Sequence, residues 1–295
     1  MFKMTAIFTG IGLALSATAQ ADYRWEVAAS ASAGTADSEL KNTGNDQKNS
    51  NDTDVYGVEG TYFLKEVDTS KGPLGEAAFL DHASYITLGF SDGEVDLTDR
   101  DNEDGQTYNI QTRYVAEGPG WQLSGWLVDL GYERAEPGDR EIDTYNVGIG
   151  KYLTPNTTVV LDYKVSNLKN GPGSDLKSYG ASLDHFFALN NDGGVKVRAA
   201  AGKTVVSGLD DPTTWGLGAT WYISKNLGFG ADFEQSDYSG YETNGFKVNA
   251  EWFITEDFAV DLSYTDIQPD DIKLETGGKL ESSYDEISIG ARYRF

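Results

Sequence analysis

Apolar and polar residues alternate along most of this chain. Tyr56, Val58, Tyr62 and Leu64 fall on one side of a strand, with Glu59 and Thr61 on the other. Tyr108, Ile110 and Tyr114 oppose Asn109, Gln111 and Arg113, and Val159, Leu161, Tyr163 and Val165 oppose Asp162 and Lys164. Val195, Val197, Ala199 and Ala201 oppose Lys196 and Arg198, while Leu227, Phe229, Ala231 and Phe233 oppose Asp232 and Glu234. Phe246, Val248, Ala250 and Trp252 oppose Lys247, Asn249 and Glu251, and Ile287, Ile289, Ala291, Tyr293 and Phe295 oppose Glu286, Arg292 and Arg294. A period of two marks a strand with one apolar and one polar face. Each run lasts roughly eight to eleven residues, the length of a tilted strand that crosses a bilayer. About fourteen such segments follow Ala21; the first, Tyr23 to Ser32, sets Tyr23, Trp25, Val27 and Ala29 on its apolar side.

The connections alternate as well. Glu117–Gly120, Thr154–Asn156, Asn190–Gly194, Lys225–Asn226 and Thr255–Asp257 read as tight turns. Longer polar stretches separate them, near 35–53, 92–106, 133–141, 167–177, 207–213, 236–244 and 266–283. Short turns at one end and long loops at the other predict an all-β fold, a transmembrane antiparallel up-and-down β-barrel of about fourteen strands, with twelve or sixteen as alternatives. A β-sandwich would also alternate, but it has no need of aromatic residues at both strand ends. Two features fit less cleanly. Gly120 to Tyr132 carries apolar residues on both faces, which predicts a bulge or a slip of parity there. Lys151, His185 and Lys203 fall on the apolar face, where long cationic side chains would have to snorkel.

Composition narrows the class. Lys3 followed by the apolar Ile7–Leu15 and by Ala19-Gln20-Ala21 reads as a secretory signal over residues 1–21, with the barrel occupying 22–295. Mean hydropathy is -0.44, so an exported chain of this kind is either a soluble β-protein or an outer-membrane barrel. The chain has no cysteine, which excludes disulfides and thiolate metal sites. A formal net charge of -24 argues against nucleic acid as a partner. The inner face is nearly balanced in charge, so the surplus acid is expected in the loops, where it would concentrate cations at the mouth. Asp92–Asp104 alone holds seven acids against Arg100. Asp99–Gly105 offers carboxylates to calcium, but its glycine stands one place late for an EF-hand loop and no closing glutamate is in position. No metal or cofactor is therefore assigned.

By strand parity, the residues expected to line a lumen are Glu59, Asn109, Gln111, Arg113, Asp162, Lys164, Lys196, Arg198, Asp232, Glu251 and Arg292. The final strand, with Tyr293 and Phe295, resembles the C-terminal signal by which the barrel-assembly machinery recognises bacterial outer-membrane barrels. One segment breaks the pattern: Lys71–Asp81 stands where a short turn should be, and it is too long and too apolar for one. Its Gly72-Pro73-Leu74, with Glu76, Ala77, Ala78, Phe79 and Leu80, resembles a stretch that follows the second strand in a proteobacterial family of putative general porins. Gly72-Pro73 predicts a turn, and Glu76–Leu80 one helical turn that buries Leu74, Phe79 and Leu80. Either it packs as a plug against the lower rim, or it forms a constriction or docking element at the periplasmic mouth.

The resemblance implies a pore-forming barrel in the outer membrane of a Gram-negative bacterium, as a monomer or an oligomer. Passive diffusion of small hydrophilic solutes, with mild cation preference, is the expected function. A sugar or oligosaccharide channel, or a non-conducting surface-binding barrel, is the alternative. Expected partners are those solutes, outer-membrane lipid and lipopolysaccharide, and the assembly machinery. Catalysis is not expected: His82 and His185 are the only histidines, and neither has an evident serine or acid partner at the extracellular rim.

Overall fold

The computed structural model describes residues 22–41, 46–97, 102–118, 124–169, 175–189, 192–206, 211–238, 241–273 and 279–295. The signal stretch, the Asp99–Asp101 portion of the acidic loop, and Trp121 and Leu123 lie outside them. The strands are β1 (Tyr23–Lys41), β2 (Gln47–Val67), β3 (Tyr85–Asp96), β4 (Glu103–Val115), β5 (Trp126–Pro137), β6 (Glu141–Thr154), β7 (Thr157–Lys169) and β8 (Leu176–Ala188). They continue as β9 (Gly194–Val206), β10 (Thr213–Ser224), β11 (Leu227–Tyr238), β12 (Tyr241–Phe253), β13 (Phe258–Pro269), β14 (Ile272–Lys273) and β15 (Lys279–Arg294). Each pairs antiparallel with its sequence neighbour, apart from the two-residue β14, which only borders β15, so that β13 pairs directly with β15. β1 pairs with β15 from Glu26–Arg294 to Lys41–Lys279, and this closes a barrel of fourteen strands with no free edge. Closure matters because hydrocarbon cannot satisfy an unpaired backbone N–H or C=O.

The fourteen barrel strands, β14 left aside, run from twelve to twenty-one residues, longer than the alternating runs suggest. The difference lies at the long-loop end. Thr35–Leu40 and Gln47–Asp52 continue the β1–β2 ladder through sequence expected to be loop. β3 likewise reaches Asp96, β5 reaches Pro137 and β11 reaches Tyr238. These extensions are polar on both faces, so they keep the ladder while losing the two-period signal.

One local departure from parity follows from backbone geometry, and one that was expected does not occur. A register shift between Tyr23 and Trp25 turns Tyr23 inward, where it is buried, while Trp25 stays outward and exposed; the sequence pattern had placed both outside. In the described part of the mixed face, from Trp126 to Tyr132, no such shift occurs where a bulge or slip was expected. β5 begins at Trp126 and pairs regularly on both sides, with Trp126, Val128 and Leu130 exposed and Leu127 buried.

The β2–β3 connection folds as two 3-10 turns, Thr69–Lys71 and Leu74–Glu76, then α1 (Ala77–Leu80). Asp68 caps the first turn, accepting from the Ser70 backbone N–H at 2.9 Å and the Ser70 hydroxyl at 2.6 Å, and these bonds hold its carboxyl below the usual range. Lys71 pairs with Asp81 across the segment. Leu74 and Leu80 are buried and Phe79 partly so, but Glu76 and Ala77 are buried with them. This inserted segment supplies much of the dry core of the molecule.

Candidate functional site: the lumen and its inserted segment

The outer wall is apolar. Leu161, Leu217 and Leu262 are each more than half exposed, as are Trp221 and Trp252. Outward Lys151 lies with its ammonium 5.0 Å from the Trp126 ring, and Lys203 bridges to Asp211 at 2.9 Å. His185 meets the Thr157 hydroxyl at 2.7 Å, so these three polar side chains on the apolar side each reach an aromatic face or a polar neighbour.

The inner wall carries the charge. Gln111, Arg113, Asp162, Lys164, Lys196 and Arg198 line one cavity of about 650 Å³, whose floor includes Glu76 and Phe79 of the inserted segment. Glu59, Asp232, Glu251 and Arg292 line a second cavity of about 500 Å³, together with Glu26, Lys247 and Asp261. Asn109 shares a smaller recess with Glu59, which thus borders two cavities.

The inserted segment touches the wall around the whole short-turn end. Ala77 and Ala83 pack with Tyr23, Phe63 and Val67 on β1 and β2. Phe79 packs against Val115, Leu127, Tyr152 and Val160 on β4 to β7. Leu80 meets Phe186 and Tyr222 on β8 and β10, and Leu74 meets Phe253 and Ala259 on β12 and β13. His82 sits at its far end with φ 54°, its ring 3.7 Å from that of Tyr152 and its Nε2 2.8 Å from the Pro155 carbonyl.

Polar ties fix the segment in place. Lys196 Nζ donates to Glu76 Oε2 at 2.7 Å, and the Tyr222 hydroxyl donates to Oε1 at 2.9 Å. Burial pushes the Glu76 carboxyl above the usual glutamate range, and the Lys196 ammonium pulls it only part of the way back. Arg294 donates to the Leu74 carbonyl at 2.9 Å and to Glu26 at 2.6 Å. Its guanidinium lies 4.3 Å from the Tyr23 ring and 4.6 Å from the Phe253 ring. Arg292 pairs with Glu251, whose carboxylate packs onto Gly75; a Cβ there would collide with it. Higher in the lumen, Arg113 grips Asp129 with two bonds of 2.7 and 2.8 Å. Sequence parity set Arg294 on the polar face without giving it a role, and it did not single out Asp129, Tyr222 or the burial of Glu76. A lone glutamate inside an apolar run was the one available signal, since a buried acid requires a partner.

Tyr293 is buried while Phe295 is exposed, their ring centroids 5.9 Å apart, and Phe295 exchanges backbone hydrogen bonds with Trp25. Among the described residues no cluster of histidine and acidic side chains could hold a metal ion, and no helix is long and apolar enough to cross a membrane.

Residues 24–203, more than half the chain, match the family described as "Putative general bacterial porin". The chain belongs to that family. No curated protein matches this porin. Its fold is similar to that of the outer-membrane protein Omp33 of Acinetobacter baumannii, at 19% identity and a TM-score of 0.57, over 93% of this chain and 99% of that one. It is more distantly similar to a FadL homologue of Pseudomonas aeruginosa, at 10% identity and a TM-score of 0.44, over 92% and 90% of the two chains. The Omp33 likeness bears on the fold alone. The porin is a β-barrel of the Gram-negative outer membrane.

Proposed function

We propose that this porin lets small hydrophilic solutes diffuse passively across the outer membrane, with the inserted segment as its constriction at the periplasmic end. The observation that carries this reading is the division of the wall: lipid-compatible outside, charged and cavity-lining inside. The eleven parity-assigned residues then act as the lumen lining that a passing solute meets. No bond-making step is part of this mechanism. His82 meets a backbone carbonyl and His185 a threonine, an arrangement that supplies no catalytic base–acid pair. Acidic lumen groups outnumber basic ones after pairing, and the long-loop end adds Glu94, Glu103 and Asp104, so the pore prefers cations mildly. Outer-leaflet lipid, lipopolysaccharide included, is the partner of the exposed apolar belt.

Single-channel recording in a planar bilayer tests the reading. Stepwise current with a cation-favouring reversal potential in a salt gradient is expected. An absence of current from the folded barrel would remove the diffusion role, and an anion-favouring potential would remove the preference.

A further inference from the structure

Among the described residues, five inner-wall glycines stand across a strand boundary from an aspartate or asparagine that folds onto them. The pairs are Gly89–Asn109, Gly180–Asp162, Gly218–Asp232, Gly230–Asn249 and Gly290–Asp261. In each pair the carboxylate or amide occupies the space that a Cβ on the glycine would need. These side chains therefore lie flat across the neighbouring strand instead of standing into the lumen.

Asp232 shows what this does to charge. Its neighbour on β12 is Lys247, an opposite charge directly across the ladder. Such a pair would ordinarily meet. No ion pair joins them, because the Asp232 carboxylate has swung the other way onto Gly218 of β10. Arg198 lies beyond Gly218 on β9, and no ion pair joins it to Asp232 either. Both Asp232 and Lys247 are exposed to the lumen.

We propose that Gly218 is a selectivity-determining residue: by seating Asp232 against the wall, it leaves the Lys247 ammonium unpaired for the anionic group of a passing solute. The missing side chain on one strand thus sets the charge that a second strand presents to a third. A Cβ at Gly218 would lie 3.2 Å from Asp232 Cγ and overlap a carboxylate oxygen, so alanine evicts the carboxylate toward Lys247. The consequence for permeation rests on the diffusion reading above; the seat itself does not.

The test uses the full folded barrel in detergent and a small water-soluble acylating reagent, with modification of Lys247 followed by mass spectrometry. In Gly218→Ala the amine is held by a carboxylate and gives up its proton less readily, so acylation slows by about three- to tenfold. Gly245→Ala is the control, since a Cβ there meets nothing nearer than 3.9 Å, and it leaves the rate unchanged. Asp232→Asn in the otherwise native chain needs no change of backbone; with Asp232 already seated away, it alters the rate less than about twofold. Unchanged acylation in folded Gly218→Ala, or a severalfold change in Asp232→Asn, overturns the proposal. In bilayers Gly218→Ala moves the reversal potential toward cations; slowed acylation with no current from either protein keeps the seat and removes the diffusion reading instead.

Discussion

Arg294 is the residue through which barrel closure and the inserted segment meet. It is 3% exposed, on the strand that closes against β1, and it binds Glu26 of β1 and the Leu74 carbonyl at once. Its removal leaves the Leu74 carbonyl without its donor and the partly buried Glu26 carboxylate with only Arg292, 3.8 Å away, a change that costs about 3 kcal/mol. Arg294→Ala should lower the urea midpoint of the folded barrel, read from the gel-mobility difference between folded and unfolded forms. Arg294→Lys should recover only part of the loss, because one ammonium lacks the planar fork that reaches both acceptors. Glu76 makes a pH prediction with a definite sign. Its folded-state pKa is raised, chiefly by burial, so the folded barrel binds this proton more tightly than the unfolded chain does. The stabilisation that follows is full below the ordinary glutamate range, about pH 4.3, and is lost as pH rises through the raised value. Glu76→Gln cannot lose a proton, so the midpoint of the native barrel should fall relative to that variant as pH rises from 4 to 8. A difference between the two that stays flat over this range would show that the burial of Glu76 carries no proton linkage.

The elements were legible to different degrees, for physical reasons. Strands such as β7 and β12 declare themselves because lipid on one side and water on the other force alternation, as in Leu161 against Asp162 and Val248 against Lys247. Where lipid ends that pressure ends, so the ladder from Thr35 to Asp52 was invisible although its hydrogen bonds persist. Tyr23 was misplaced because one bulge inverts parity on one side only, and a single aromatic looks the same on either face. The inserted segment was visible as an anomaly: Leu74, Phe79 and Leu80 are too apolar for an exposed turn. Its partners were not, since Lys196 and Tyr222 lie 120 and 146 residues from Glu76 in sequence. Parity found the charged lining but could not say which charges pair, because pairing depends on where each carboxylate swings. The element has its own prediction. Leu74 is wholly buried against Phe253 and Ala259, so Leu74→Ala should weaken docking of the segment by about 2–4 kcal/mol. The barrel ladder does not run through Leu74, so amide exchange should accelerate at residues 69–84 while β6 to β9 keep their protection.

At the scale of the molecule, the barrel and its insert have separable duties. The wall is closed by the β1–β15 ladder, and among the described residues the one barrel backbone group that residues 71–81 satisfy by a backbone hydrogen bond is the Lys225 carbonyl in the turn after β10, which accepts from Leu74 N–H at 2.8 Å. β2 and β3 already approach each other below the insert, with Phe63 opposite Tyr85 and Leu64 N–H donating to the Ser84 carbonyl at 2.9 Å. A short glycine–serine turn in place of residues 66–82 should therefore leave a folded barrel, less stable by the packing that the insert supplies. Its lumen changes far more, because the insert contacts β1, β2, β4 to β8, β10, β12 and β13 at one level. Removing a body that spans the wall at one level raises conductance severalfold if solutes pass there, since resistance concentrates at the narrowest section. The same change frees Lys196 and Tyr222 from Glu76, adding an unpaired cation at the widened end. The shortened variant should accordingly show larger current steps and weaker cation preference than the intact porin. Equal conductance in the two proteins, with both barrels shown to be folded, would place the restriction elsewhere, at the long-loop end.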